Sequence, residues 1–253
     1  MVSRDELTAF LDQLLIKSTS CKDVSNNGLQ VEGGGSVDRV VFGVDACLEL
    51  FERAGQIGAQ YVIVHHGLSW RDSLKYLTRV NAQRVGALFR NGISLYAAHL
   101  PLDMHPEVGH NAQIAKGLGL VNPEPRFEYG EALIGIAGNL PGPTFLPALV
   151  AKVDVLLDTS STYWSFGPET VSRVGIVSGG GADGIEECIA AKADCLITGE
   201  VCHQHHHVAK ECGVSLIAAG HYKSEVPGLL AVMERMQNQF ELACEFIDIP
   251  TGL

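Results

Sequence analysis

61-YVIVHHG-67 reads as four apolar residues, three of them β-branched, followed by two histidines and a glycine. The apolar run predicts a buried strand, and imidazoles at its end are costly to bury without partners. Runs of the same kind recur at 39–46, 93–99, 133–140, 173–179, 194–200, 215–221 and 243–249. Helix-length segments separate most of them, at 47–58, 80–91, 110–118, 144–156, 183–192, 203–212 and 222–238. Such alternation predicts an α/β protein with largely parallel sheets. The proline- and glycine-rich stretch 121–143 is the expected boundary, giving one α/β lobe over 1–122 and a second over 123–253, with discontinuous packing of the lobes allowed.

Parallel α/β sheets bind ligands beyond the carboxyl ends of their strands. Here those ends deliver His65 and His66, then His99 with Asp103 four residues on, then Gly199 and Glu200, then His221 with Glu225 four residues on. One such histidine is ordinarily structural; four strand ends carrying imidazole or carboxylate point to a divalent metal. In 221-HYKSE-225 the spacing puts His221 and Glu225 on one face of a helical turn. In 99-HLPLD-103 the proline predicts a turn instead. Adjacent residues of an extended strand face opposite ways, so His65 and His66 share a site only where the strand has ended, or else serve different ions. His65, His66, Asp103, His221 and Glu225 exceed the four ligands of a closed zinc site and suit two ions about 3.5–4 Å apart.

Composition narrows the partners. The formal net charge of −11 argues against non-specific nucleic-acid binding, which needs Lys and Arg against phosphates. It leaves room for a phosphorylated small molecule, since bound cations supply positive charge locally. Seven scattered cysteines without a C-x-x-C pair predict reduced thiols in a cytoplasmic protein. No 18-residue apolar run is present, so no membrane span is expected. The N-terminal segment predicts a helix with a Ser3/Glu6 capping box.

The blocks 26-NNGLQVEG-33, 43-GVDAC-47, 64-VHHG-67, 99-HLPLD-103, 109-GHNAQIA-115, 198-TGE-200 and 219-AGHYKSE-225 resemble the Nif-three-like family, also described as type 2 GTP cyclohydrolase I homologues. The resemblance spans the chain, in the short form without an insert. It implies two similar α/β lobes and a dinuclear centre ligated by His65, His66, Asp103, His221 and Glu225, with His99 beside it. It also implies a ring-shaped homohexamer. Gly67 stands where many members have proline, which alters loop stiffness more than ligation.

The expected chemistry is metal-assisted hydrolysis of a nucleotide or other phosphorylated small molecule. Glu225 would be the shared carboxylate, while Glu200 and His99 move protons. Zinc, iron, manganese and nickel all accept this donor set. A non-catalytic metal-binding scaffold acting through partners is the alternative. A third reading, an NAD(P)-dependent oxidoreductase, rests on 178-SGGGADG-184, where Gly179, Gly181 and Gly184 satisfy G-x-G-x-x-G between a strand and a helix. Asp194 falls too soon for the ribose-binding acid, so a milder role is expected, a phosphate held on the loop's amides. In 203-HQHHH-207 a solvated helix face is expected for His203, His205 and His206, a supporting place near the site for His207, and adventitious metal capture for the pair His203/His207. Asp45 is expected to orient a ligating imidazole, and Asn26, Asn27 and Gly28 to form a turn. Trp70 and Trp164 are expected to pack, while Cys195 and Cys202 lack a demonstrated cationic neighbour that would make a reactive thiolate.

Overall fold

The computed structural model describes residues 1–19 and 21–253. In chain order its elements are β1 (Val2–Ser3), α1 (Arg4–Leu11), β2 (Gly28–Val31), β3 (Ser36–Val37), β4 (Arg39–Asp45), α2 (Leu48–Gln56), β5 (Tyr61–His66), α3 (Arg79–Asn91), β6 (Ser94–Ala97) and α4 (Leu100–Asp103). There follow α5 (His110–Gly117), β7 (Val121–Tyr129), β8 (Ala132–Phe145), α6 (Leu146–Leu157), β9 (Thr162–Trp164), β10 (Thr170–Val177), α7 (Ile185–Ala191) and β11 (Cys195–Thr198). The chain ends with α8 (His205–Cys212), β12 (Ser215–Ala218), α9 (His221–Ser224), α10 (Pro227–Gln239) and β13 (Ala243–Phe246). Among the described residues no helix is long and apolar enough to cross a membrane.

Two compact units emerge, Met1–His105 with Leu229–Ile249, and Pro106–Gly228 with Pro250–Leu253. The first break therefore lies upstream of 122/123, and most of the last helix and the last strand return to the first unit. The reason is the role of 121–145. The prolines that suggest a linker sit inside a β7–β8 hairpin of the second sheet. Pro123 and Pro125 are on β7, an edge strand where a missing N–H disrupts little. Pro141 and Pro143 fall where the β8–β10 register shifts.

The first unit holds the five-stranded sheet β13-β4-β5-β6-β2, parallel throughout except for β2 at its edge. Residues Tyr61–His65 of β5 are all buried, as expected for a parallel strand covered on both faces. Val62 and Val64 join Leu50, Phe51 and Ala54 of α2 and Val85 and Leu88 of α3 in one core. Ser3 caps α1 by accepting from the Glu6 amide at 3.1 Å, as the capping-box reading expects. The second unit holds the six-stranded sheet β7-β8-β10-β11-β12-β9, in which β10, β11 and β12 run parallel and the other pairings are antiparallel. The first unit thus sets four neighbouring parallel strands side by side and the second three, and the candidate groups follow their carboxyl ends.

Candidate metal centre

In the first unit β4, β5 and β6 lead to Asp45, to His65 and His66, and to His99 and Asp103. The strand does not end before the paired histidines: β5 runs through His66, which registers with Asp45. Even so, the two rings do not diverge. Their centroids lie 4.6 Å apart, and His99 sits 5.1 Å from His65 and 5.7 Å from His66. One ring nitrogen from each of the three falls within 4.8 Å of the others. The two imidazoles thus approach one another although the strand has not ended before them. Gly67 permits this close arrangement, because the side chains of Gln30 and Ala97 fill the space that a Cβ would need.

The tautomers follow from the partners. His65 Nδ1 donates to the carbonyl of Ala98 at 2.9 Å, and a carbonyl can only accept. His66 Nδ1 donates to Asp45 Oδ1 at 2.8 Å, the orienting role expected of Asp45. His99 Nδ1 donates to Asp23, 2.9 and 3.1 Å from its two oxygens. A ring held through Nδ1 presents Nε2 as its ligating nitrogen, the arrangement that metal-binding histidines use. Asp103 is buried, and its Oδ2 lies 3.7 Å from His65 Nε2. That is too long for a hydrogen bond and close to the separation of two ligands on one cation bound at about 2.0–2.2 Å. Pro101 does not prevent a helix here. It occupies the first turn of α4, where its missing N–H is tolerated.

Asp23 is the site residue that motif reading misses. It accepts from the Ser25 amide, Asn27 Nδ2 and the Leu100 amide as well as from His99. Burial pushes its carboxyl up, but the hydrogen bonds from His99 and Asn27, with the charge on His99, outweigh that and bring it down to about 2. Asn27 also accepts from the His99 amide at 2.7 Å, so 23–28 forms a clamp on His99. The asparagine pair is the available signal, and Asp23 lies just outside the motif. Trp70 closes one side, with its ring edge-on to His99 at 4.9 Å and Nε1 donating to Gly67 O.

In the second unit β11 and β12 lead to Glu200 and to His221 with Glu225. Here α9 is one turn long, because Pro227 starts a new helix and the continuous helix expected over 222–238 is broken. The i,i+4 spacing nonetheless pairs His221 Nε2 with Glu225 Oε1 at 3.2 Å, and His221 Nδ1 faces Glu200 Oε1 at 3.2 Å. The hydrogen bond to Glu225, reinforced by Glu200 against the effect of burial, pushes the His221 imidazole up to about 9. Glu225 is buried and Glu200 half-exposed.

The glycine-rich loop supports this constellation. Gly179 has φ +61°, and a Cβ there would run into Glu225 Oε1 and His221 Nε2. Its amide donates to Ser224 Oγ, the Ser178 amide to Asn111 Oδ1 and the Gly181 amide to Thr198 Oγ1. These three amides are committed within the protein, contrary to the expected phosphate cradle.

His205 also departs from the expected solvated face. It is buried, accepts from the Cys202 amide at Nδ1 and therefore donates from Nε2 to Asp183 Oδ1 at 2.9 Å. His203 and His207 are exposed, and His206 stacks edge-on against Phe166. Among the described residues these histidines form no convergent three-ligand group. Cys195 is fully buried, and its thiol is raised well above the ordinary range by burial, which removes it as a nucleophile. Cys202 is exposed.

The sequence model of the family described as Duf34/NIF3 (NGG1p interacting factor 3) matches residues 2–252. A Pyrococcus abyssi protein named GTP cyclohydrolase 1 type 2 homolog is 43% identical over 254 residues, covering 100% of both chains. Among solved structures, one described as protein ybgI of unknown function is similar with a TM-score of 0.92 at 35% identity, over 100% of both chains. TTHA1606 from Thermus thermophilus is similar with a TM-score of 0.90 at 36% identity, again over 100% of both.

Proposed function

The chain belongs to the Duf34/NIF3 family, and from that premise we propose a metal-dependent hydrolase built on two divalent cations. Its substrate would be a nucleotide or another phosphorylated small molecule. The observation that carries the reading is the cluster of His65, His66 and His99, each ring held through Nδ1, with one ring nitrogen of each within 4.8 Å of the others. His65, His66, Asp103, His221 and Glu225 are the residues that would hold the cations, Glu225 being the carboxylate proposed to be shared.

Divalent cations held by these residues would supply Lewis acidity and a bound water of lowered pKa. The remaining work falls to the chain. Asp45, Asp23 and Glu200 fix the rings of His66, His99 and His221 by holding Nδ1. Glu200 is half-exposed, so it can also take a proton from the reacting group and pass it to solvent. His99 Nε2 faces the same cluster and serves either as a further ligand or as a proton acceptor. A cytoplasmic setting and a homohexamer, as the family resemblance implies, complete the proposal; light scattering giving six chains per particle checks the latter.

The relatives' printed name makes GTP the first compound to try. The test is turnover by metal-loaded protein against GTP, other nucleotides and phosphodiesters, with chelator in parallel. Product from at least one compound, lost with chelator, is expected. A metal-binding scaffold is the competing reading, favoured by the closed glycine loop, and two bound equivalents without turnover of any compound would establish it over the hydrolase.

A further inference from the structure

A cavity of about 430 Å³ opens beyond the carboxyl ends of β11 and β12 in the second unit. Glu200, the carboxylate behind His221, forms part of its wall, so the space adjoins one of the proposed ligands. Trp164 supplies an aromatic surface, Thr162 and Ser160 supply hydroxyls, and Tyr222 and Lys223 line another side. Such a mixture of one large aromatic and a few polar groups is typical of a small-ligand pocket of this size.

The charges decide what fits. Lys223 Nζ lies 3.1 Å from Asp158 Oδ2, so it already has an acidic partner. Glu200 has one oxygen towards His221, and its half-exposed carboxylate is a charged acceptor in the wall. A polyphosphate brought here would meet the Glu200 carboxylate, and the lysine of the wall is paired with Asp158. A planar, uncharged ring with adjacent N–H donors would instead stack on Trp164 and donate both hydrogens to the carboxylate.

We infer that this cavity is the subsite for the ring of the substrate: Trp164 stacks on a heterocycle carrying neighbouring N–H donors, as guanine does, and Glu200 reads its edge. The inference rests on the proposed reaction centre only for its meaning, since binding of the ring can be measured without any metal.

The chain has two tryptophans, Trp70 and Trp164, so Trp70→Phe leaves Trp164 as the sole indole reporter. The full-length W70F protein is titrated with guanosine, inosine, adenosine and inorganic tripolyphosphate, once with chelator and once metal-loaded. Saturable quenching by guanosine is expected in both conditions, at least tenfold tighter than by inosine, which lacks the second donor, or by adenosine. Tripolyphosphate should neither quench nor compete. Glu200→Gln, at a half-exposed position, should fold normally and lose the guanosine-over-adenosine preference. Absence of guanosine quenching, displacement by tripolyphosphate, or an unchanged preference in E200Q would each overturn the inference. Guanosine binding by protein that takes up no metal would instead uphold the cavity and defeat the metal-centre reading.

Discussion

A proton and a cation compete for Nε2 of His221. Its hydrogen bond to Glu225, helped by Glu200, keeps the imidazole protonated up to about pH 9 before a cation binds. Loading at pH 7.5 must therefore expel that proton, and apparent metal affinity rises with pH until about 9. Calorimetry in buffers of different ionisation enthalpy should show release of about one proton per chain from this residue at pH 7.5 and none at pH 10. The orienting carboxylates give a second prediction. Asp45→Asn and Asp23→Asn remove the acceptors that hold His66 and His99, and each should weaken metal binding by roughly 10–100-fold without unfolding the protein. Competition against a chelating dye measures this, and wild-type affinity in both variants would deny the imidazoles their role. At this scale Asp45 is legible, because it ends a strand next to the histidine strand. Asp23 is not, since it lies in an irregular segment and reaches His99 across 76 residues of sequence.

Elements place these residues, and two of them can be tested directly. The loop between β10 and α7 uses Gly179 at φ +61°, with Glu225 and His221 packed against its Cα. Gly179→Ala forces a side chain into a left-handed conformation and against the Glu225 carboxylate. It should cost on the order of 1–3 kcal/mol in urea unfolding and lower metal content together. In β5, Ile63 is buried on the strand that delivers His65 and His66, and Ile63→Ala should cost about 2–5 kcal/mol in the same assay. The main strands are readable because fully buried parallel strands appear as unbroken apolar runs. The β7–β8 hairpin reads as a linker because its prolines occupy an edge and a register shift, positions where tertiary context excuses them. The convergence of His65 and His66 is likewise unreadable: the two-residue period of a strand describes its middle, whereas the last residues of β5 have room to turn their rings together over Gly67.

At the scale of the whole chain, the resemblance carries over from motifs to a family match spanning residues 2–252 and to solved folds with TM-scores of 0.90 and 0.92. The α/β architecture with two sheets follows from strand–helix alternation. The return of Leu229–Ile249 to the first unit does not, because β13 pairs with β4 across roughly two hundred residues and no local pattern announces that partner. The central claim belongs to this scale too, since the proposed ligands come from distant parts of the chain. It is tested by counting metal in wild type, His66→Ala and Glu225→Ala by mass spectrometry after loading and desalting. We expect two equivalents per chain in the wild type and loss of both from either variant, although one change lies in each unit. If Glu225→Ala keeps two equivalents, or if each variant loses only one and leaves the other at full affinity, the shared centre does not exist.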